Sequence, residues 1–183
     1  NKKIFLINAE SDSEIIEIEK IAKKNKKKIN IGIRLNPDTD AKTLKEISTG
    51  KKENKFGLTK KNFLYLINKY KHSNFINIIC LSVHIGSQIT NHVPYKKMLE
   101  VVNKTIIEAK YKFKYIDLGG GMGIKYKRNS HKLDYRKYNS LIKSFLKKNK
   151  VKIIFEPGRS IIGNAGFLLS KIIYIKQTKK INF

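Results

Sequence analysis

Three places in the sequence combine residue types that could do chemistry. Asp117-Leu118-Gly119-Gly120-Gly121-Met122-Gly123 sets three consecutive glycines behind a short apolar run. Backbone of this kind can close its N–H groups around an anion with no Cβ in the way, which makes a phosphate-bearing ligand the natural guest. A tight turn needing positive φ would use the same glycines. The segment is neither the dinucleotide fingerprint G-x-G-x-x-G nor a P-loop, since no Gly-Lys-Ser/Thr follows. Glu156-Pro157-Gly158-Arg159 sets a carboxylate near an arginine behind a second apolar run. The pair could be a plain ion pair, or it could divide two tasks. Glu156 would then hydrogen-bond a ring nitrogen and keep it protonated, because a nearby anion favours the charged form. Arg159 would offer its planar fork to a carboxylate or phosphate, which Lys does less well.

The third place is Ser82-Val83-His84-Ile85-Gly86-Ser87-Gln88, at the end of another apolar run. His84 reads either as a buried, hydrogen-bonded histidine or as a flat ring that stacks on a planar cofactor, with Ser87 donating to a phosphate. Cys80 shares its strand face, but at roughly 3.3 Å per residue it lies about 13 Å away, so no metal site is expected. A phosphate cradle, a carboxylate for a ring nitrogen and a ring to stack together describe pyridoxal 5′-phosphate, whose ring acts as an electron sink. No lysine here can be assigned as its Schiff-base partner, although lysines abound.

The elements that must position these groups alternate between two periods. Residues 3–8, 29–35, 76–85, 113–118 and 151–155 are short apolar or β-branched runs and read as strands. Between them lie amphipathic helices. Ser11 and Glu14 form a capping box before helix 12–25, which carries Ile15, Ile18 and Ala22. Helix 59–71 repeats Phe63, Leu66, Ile67 and Tyr70 at helical spacing. Another starts at Pro94 with Tyr95, Met98, Leu99, Val102 and Ile106, and helix 134–148 has Tyr135, Tyr138, Ile142 and Phe145 on one stripe. The connection 36–58 is too long for an ordinary loop and is a functional candidate. After 155 the alternation breaks, and 165–176 reads as an extended strand with no helix behind it. Five successive β–α units imply an α/β fold with a parallel sheet. Asn36, His84, Gly119–Gly121 and Glu156–Arg159 all fall at the carboxyl ends of successive strands. A (β/α)8 barrel builds its active site there, whereas an open sheet concentrates such residues at one switch point. The barrel is the expected fold.

Charge is the loudest feature of the composition: 40 Lys+Arg against 14 Asp+Glu in 183 residues, a formal +26. Thirty-six of the 40 are Lys, and Lys, Ile and Asn together supply 82 residues, nearly half of the chain. All three have A- and T-rich codons, so mutational bias accounts for the excess without a partner; a functional basic surface is the alternative. Nucleic-acid binding would need aromatics between the cations. Here the aromatics sit on core stripes, so no nucleic-acid partner is expected. One cysteine, Cys80, excludes an internal disulfide framework and fits a reducing, cytoplasmic compartment. No apolar run reaches the roughly 18 residues of a membrane span. The first residue is Asn1 rather than Met, and the chain reads as an excerpt of a longer one.

Read in order, Ile47-Ser48-Thr49-Gly50 with Glu53-Asn54-Lys55-Phe56-Gly57, His84-Ile85-Gly86-Ser87-Gln88, Asp117-Leu118-Gly119-Gly120-Gly121 and Glu156-Pro157-Gly158-Arg159-Ser160 resemble the fold-type III, alanine-racemase-like decarboxylases that use pyridoxal phosphate. The likeness runs from about Ile7 to Lys171. His-Ile-Gly-Ser-Gln and the Ser-Thr-Gly…Lys-Phe-Gly block look like the diaminopimelate branch, while the ornithine branch tends to follow its triple glycine with Phe-Pro. The resemblance implies a partial (β/α)8 barrel, about strands four to eight, over 1–164, and the beginning of a C-terminal β-domain over 165–183. It implies that His84 stacks on the pyridine ring, Ser87 and Gly119–Gly121 bind the phosphate, Glu156 holds the ring nitrogen and Gly158 lies close to the cofactor. Arg159 is implied to bind substrate. The implied reaction of the full-length, homodimeric enzyme is decarboxylation of meso-2,6-diaminopimelate to L-lysine and CO2, the last step of lysine biosynthesis. Ornithine, arginine or carboxynorspermidine are alternative substrates, and a non-catalytic binding protein on the same fold is a further alternative. The family's Schiff-base lysine belongs to an earlier strand motif absent from these residues, which alone are expected not to decarboxylate anything.

Overall fold

A computed structural model describes residues 4–43, 47–50, 55–127 and 129–177. Glu53 and Asn54 of the quoted motif and the end of the expected second domain, 178–183, lie outside the described residues. The elements alternate without a break: β1 (Ile7–Ala9), α1 (Asp12–Lys24), β2 (Ile29–Arg34), α2 (Lys60–Tyr70), β3 (Ile76–Ser82), α3 (Val93–Ala109), β4 (Tyr115–Asp117), α4 (Tyr135–Lys148), β5 (Lys152–Ile154) and the short α5 (Arg159–Ile162). All strand pairs are parallel, and the sheet order is the chain order, β1-β2-β3-β4-β5. A doubly wound sheet reverses its order at a switch point. This one never does, which is how the wall of a (β/α)8 barrel is laid down.

Local chemistry sets the helix ends. Ser11 Oγ accepts the Glu14 N–H at 3.1 Å, as the capping box predicts. The reciprocal half differs: the Glu14 carboxylate takes the N–H of Glu10 (2.8 Å) instead of that of Ser11. Thr59 caps α2 through the Asn62 N–H, and Asp134 caps α4 through the N–H groups of Arg136 and Lys137.

Register sorts the side chains into two layers. Ile33, Leu81, Ile116 and Ile153 lie side by side across β2–β5. The first three are fully buried, in one cluster with Phe63, Leu66 and Ile67 of α2 and Tyr95, Met98 and Val102 of α3. Burying a side chain the size of Phe63 contributes about 1.5–3 kcal/mol. Alternation sends the intervening residues to the other face, the barrel interior. There Asn8, Gly32 and Cys80 align, and above them Arg34, Ser82 and Asp117.

Two expectations change. Tyr135 stands about half exposed, because it opens the first turn of α4, whereas Tyr138, Ile142 and Phe145 are buried. The strand expected over 165–176 joins no ladder among the described residues, and its Phe167, Leu168, Leu169 and Tyr174 are almost fully exposed. An apolar alternation becomes a strand only when a neighbour takes its backbone groups, and none of the described elements does so. No helix among the described residues is long and apolar enough to cross a membrane.

Candidate active site

The interior wall explains why a polar cluster can sit at the strand ends. Asn8 on β1 reaches across the barrel to β4, where its Nδ2 donates to Asp117 Oδ2 at 2.8 Å. The route passes over Gly32: a Cβ there would lie 2.0 Å from Asn8 Oδ1, so only glycine leaves room. Asp117, about 1% exposed, also accepts the Gly119 N–H (2.9 Å) and a long bond from the Ser82 hydroxyl (3.5 Å). The carboxylate at the end of β4 is thus held from three sides.

Glu156 stands against it. Its N–H donates to the Gly119 carbonyl at 2.8 Å, tying the loop after β5 to the glycine loop after β4. Burial, then the charge of Asp117 and a hydrogen bond shared with it, push the Glu156 carboxyl up from its ordinary value, against an opposing pull from Arg34. Arg34 is itself engaged by Glu10 and lies over the Phe56 ring, and Glu10 also accepts the Gly57 N–H (3.0 Å). Two carboxyl groups in contact hold one proton more tightly than either alone.

That crowding has a measurable consequence. The folded state binds the Glu156 proton more tightly than the unfolded chain, so this contribution to stability is complete below the ordinary glutamate range. It is lost as pH rises through the raised value. His84 acts in the opposite sense, since burial and the nearby Arg34 lower its pKa. Comparing denaturation midpoints of the cofactor-free full-length protein with those of Glu156→Gln isolates the first effect. The unaltered protein should lose ground to the variant as pH rises above the ordinary glutamate range; parallel curves would refute it.

His84 lies two residues past β3, half-buried, and its Nδ1 accepts the Gly120 N–H at 3.2 Å. That bond leaves the lone pair on Nδ1, and the lowered pKa keeps the ring neutral with its proton on Nε2. The glycine loop turns through positive φ at Gly119 (64°) and Gly121 (89°). Ile89 N–H holds the Gly121 carbonyl at 2.8 Å. Ser87 is half-buried at the rim, with its N–H on the Ile47 carbonyl. Thr49 binds the same segment through the carbonyls of His84 (3.1 Å) and Ile85 (3.2 Å), which gives the Ser-Thr-Gly block a structural task. Among the described residues neither the Ser87 hydroxyl nor the Gly121 N–H has a hydrogen-bond partner.

The structure brings His84, Gly119–Gly121 and Glu156 into one contact network. Gly158 stands apart, with nothing within 4 Å of where its Cβ would be. Arg159 makes no ion pair with Glu156 among the described residues. It reaches Gln88 Oε1 at 3.4 Å and lies 5.9 Å from the Tyr126 ring centre. Gln88 in turn clamps the Ile124 backbone, donating from Nε2 to its carbonyl (2.6 Å) and accepting its N–H (3.2 Å). The roles of Asn8, Asp117, Arg34 and Gln88 were not read from the sequence. For Arg34 the sequence holds a signal, since it is one of only four arginines in the chain and, like Arg159, it falls at a strand end.

Known proteins resemble this chain over nearly its whole length. A diaminopimelate decarboxylase of Aquifex aeolicus is 38% identical over 97% of this chain, and one of Zymomonas mobilis is 38% identical over 96%. The crystal structure of diaminopimelate decarboxylase from Helicobacter pylori complexed with L-lysine superposes with a TM-score of 0.87 at 37% identity, covering 95% of this chain. In each case the chain spans less than half of the relative, 43–45% of its length. The family model for the pyridoxal-binding domain of pyridoxal-dependent decarboxylases matches residues 1–163. Matched by that model over most of its length, and 38% identical to curated relatives over nearly all of it, this chain belongs to the pyridoxal-dependent decarboxylases.

Proposed function

We propose that the full-length protein decarboxylates meso-2,6-diaminopimelate to L-lysine and CO2. In this reading the residues of this chain hold pyridoxal 5′-phosphate and the substrate's carboxylate end. The observation that carries it is the tie between the two strand-end loops, with the Glu156 N–H on the Gly119 carbonyl at 2.8 Å, which sets a second carboxyl close to Asp117 beside a glycine loop whose Gly121 N–H has no partner among the described residues. Such a pair favours any cation or proton brought to it, and a protonated ring nitrogen is both. The loop needs glycine for close packing: a Cβ at Gly120 would lie 2.1 Å from the Glu156 carbonyl oxygen, so the two loops that flank the proposed phosphate site can touch only without one.

The cofactor, when bound, supplies the electron sink for the bond pair left as CO2 departs. Glu156 would hold the proton at the ring nitrogen, and Asp117 beside it keeps that proton from leaving. Neutral His84, pinned by Gly120, would offer its flat face to the ring. The Ser87 hydroxyl and the Gly121 N–H would receive the phosphate, while the N–H groups of Gly119 and Gly120, engaged by Asp117 and His84, hold the loop in shape around it. Arg159, set by Gln88 and Tyr126, would bind a carboxylate of the substrate. Similarity to diaminopimelate decarboxylases at 38% identity supports this substrate over other amino acids.

Residues 1–164 would form part of the barrel and 165–183 the start of a C-terminal β-domain, which agrees with the uncovered Phe167, Leu168 and Leu169. The full-length protein would act as a homodimer; its place in a reducing cytoplasm fits the buried, unpaired Cys80, whose thiol burial pushes up to about 12. The test is direct: full-length protein with pyridoxal 5′-phosphate should release CO2 and lysine from meso-diaminopimelate. Faster release from ornithine or arginine would overturn the substrate assignment.

A further inference from the structure

We infer that Tyr95 is a positioning residue for the phosphate cradle, aiming the Gly121 N–H through a hydrogen bond to the carbonyl of the same peptide unit. The inference rests on the proposed cofactor reading and assigns a role to a residue outside its motifs. Tyr95 lies on α3 with 0% exposure, and its hydroxyl donates to the Gly120 carbonyl at 3.1 Å. A trans peptide is planar, with its C=O and N–H pointing in opposite directions. No cis bond is present in the described backbone, so fixing the Gly120 carbonyl fixes the opposite aim of the Gly121 N–H.

That N–H is the loop donor left without a described partner. Its neighbour, the Gly120 N–H, is spent on His84 Nδ1, and the Gly119 N–H on Asp117. Glycine at 120 and 121 gives this peptide unit little resistance to flipping. Something must therefore hold it, and Tyr95 is the side chain that does. Burial pushes the phenol's pKa far up, so it remains a donor at any working pH. The ring is immobilised against Tyr138, with centroids 4.6 Å apart.

Tyr138 supplies an internal control. Its hydroxyl is buried and has no partner among the described residues. Both tyrosines can be changed to Phe with the packing kept, and only one change removes a hydrogen bond.

The experiment measures affinities of full-length protein for pyridoxal 5′-phosphate and for pyridoxal, which lacks the phosphate, and the competition of inorganic phosphate with each. Tyr95→Phe should weaken pyridoxal 5′-phosphate and inorganic phosphate binding about five- to tenfold, the weight of one hydrogen bond. It should leave pyridoxal binding unchanged, and Tyr138→Phe should alter neither. Unchanged phosphate binding in Tyr95→Phe overturns the role, as does an equal loss for both ligands, which would mark general loosening of the core. If inorganic phosphate fails to compete even in unaltered protein, the cradle reading itself falls, and the role of Tyr95 falls with it.

Discussion

Replacing Glu156 by Ala in the full-length protein should lower turnover about 10²–10³-fold while pyridoxal 5′-phosphate stays bound. The size follows from removing one preorganised group at a developing charge. Retention follows from the separation of tasks, since the glycine loop, Ser87 and His84 receive the cofactor without the Glu156 side chain. Glu156→Gln is the sharper comparison. It preserves shape and can accept one hydrogen bond, but it neither carries charge nor crowds Asp117. If proton affinity is what Glu156 contributes, Gln should fail nearly as badly as Ala. If position alone matters, Gln should recover most of the rate. Burial and the neighbouring Asp117 charge both bias the Glu156 carboxyl toward its protonated form, which argues for the first outcome. Near-normal turnover in Glu156→Ala, with cofactor occupancy confirmed by absorbance, would remove Glu156 from the ring nitrogen.

The sequence made the layers legible because period and burial agree in them. Phe63, Leu66, Ile67 and Tyr70 repeat at helical spacing, and all four are buried. Strand centres were equally plain, but their ends were not. The run 76–85 is apolar throughout, yet the ladder closes at Ser82 because β4 supplies partners only as far as Asp117. The chemistry-bearing motifs were visible for a related reason: glycine, proline and arginine are conspicuous in a chain flooded with Lys and Ile. What stayed hidden are contacts between distant strands and helices. Asn8 and Asp117 are 109 residues apart, and neither periodicity nor spacing announces their bond. The same holds for Tyr95, which reads as one more residue of an apolar stripe until its hydroxyl is seen on Gly120. Gly32 belongs with them, since its reason is the side chain of a residue on another strand.

Gly120→Ala should weaken pyridoxal 5′-phosphate binding at least ten- to hundredfold, in step with the 1–3 kcal/mol that overpacking costs. The φ of Gly120 is not the obstacle, for the left-handed positions of this loop are Gly119 and Gly121. Space is. The added methyl would meet backbone, with the Glu156 carbonyl oxygen at 2.1 Å and its carbon at 3.1 Å, so no rotamer relieves the overlap. The loops after β4 and β5 must separate, and the bond between the Glu156 N–H and the Gly119 carbonyl lies directly in the path of that separation. Both halves of the site then suffer together: the phosphate donors lose their aim, and Glu156 moves relative to the ring they anchor. Turnover at saturating cofactor should therefore fall as well, unlike a pure affinity defect that excess cofactor repairs. Structural collapse is distinguishable from this outcome, because the packed layer of Leu81, Ile116 and Tyr95 lies beneath the loop and should keep the far-ultraviolet spectrum unchanged. Full activity at ordinary cofactor concentration would mean that the two loops need not touch for the site to work, and the cradle would have to be sought elsewhere.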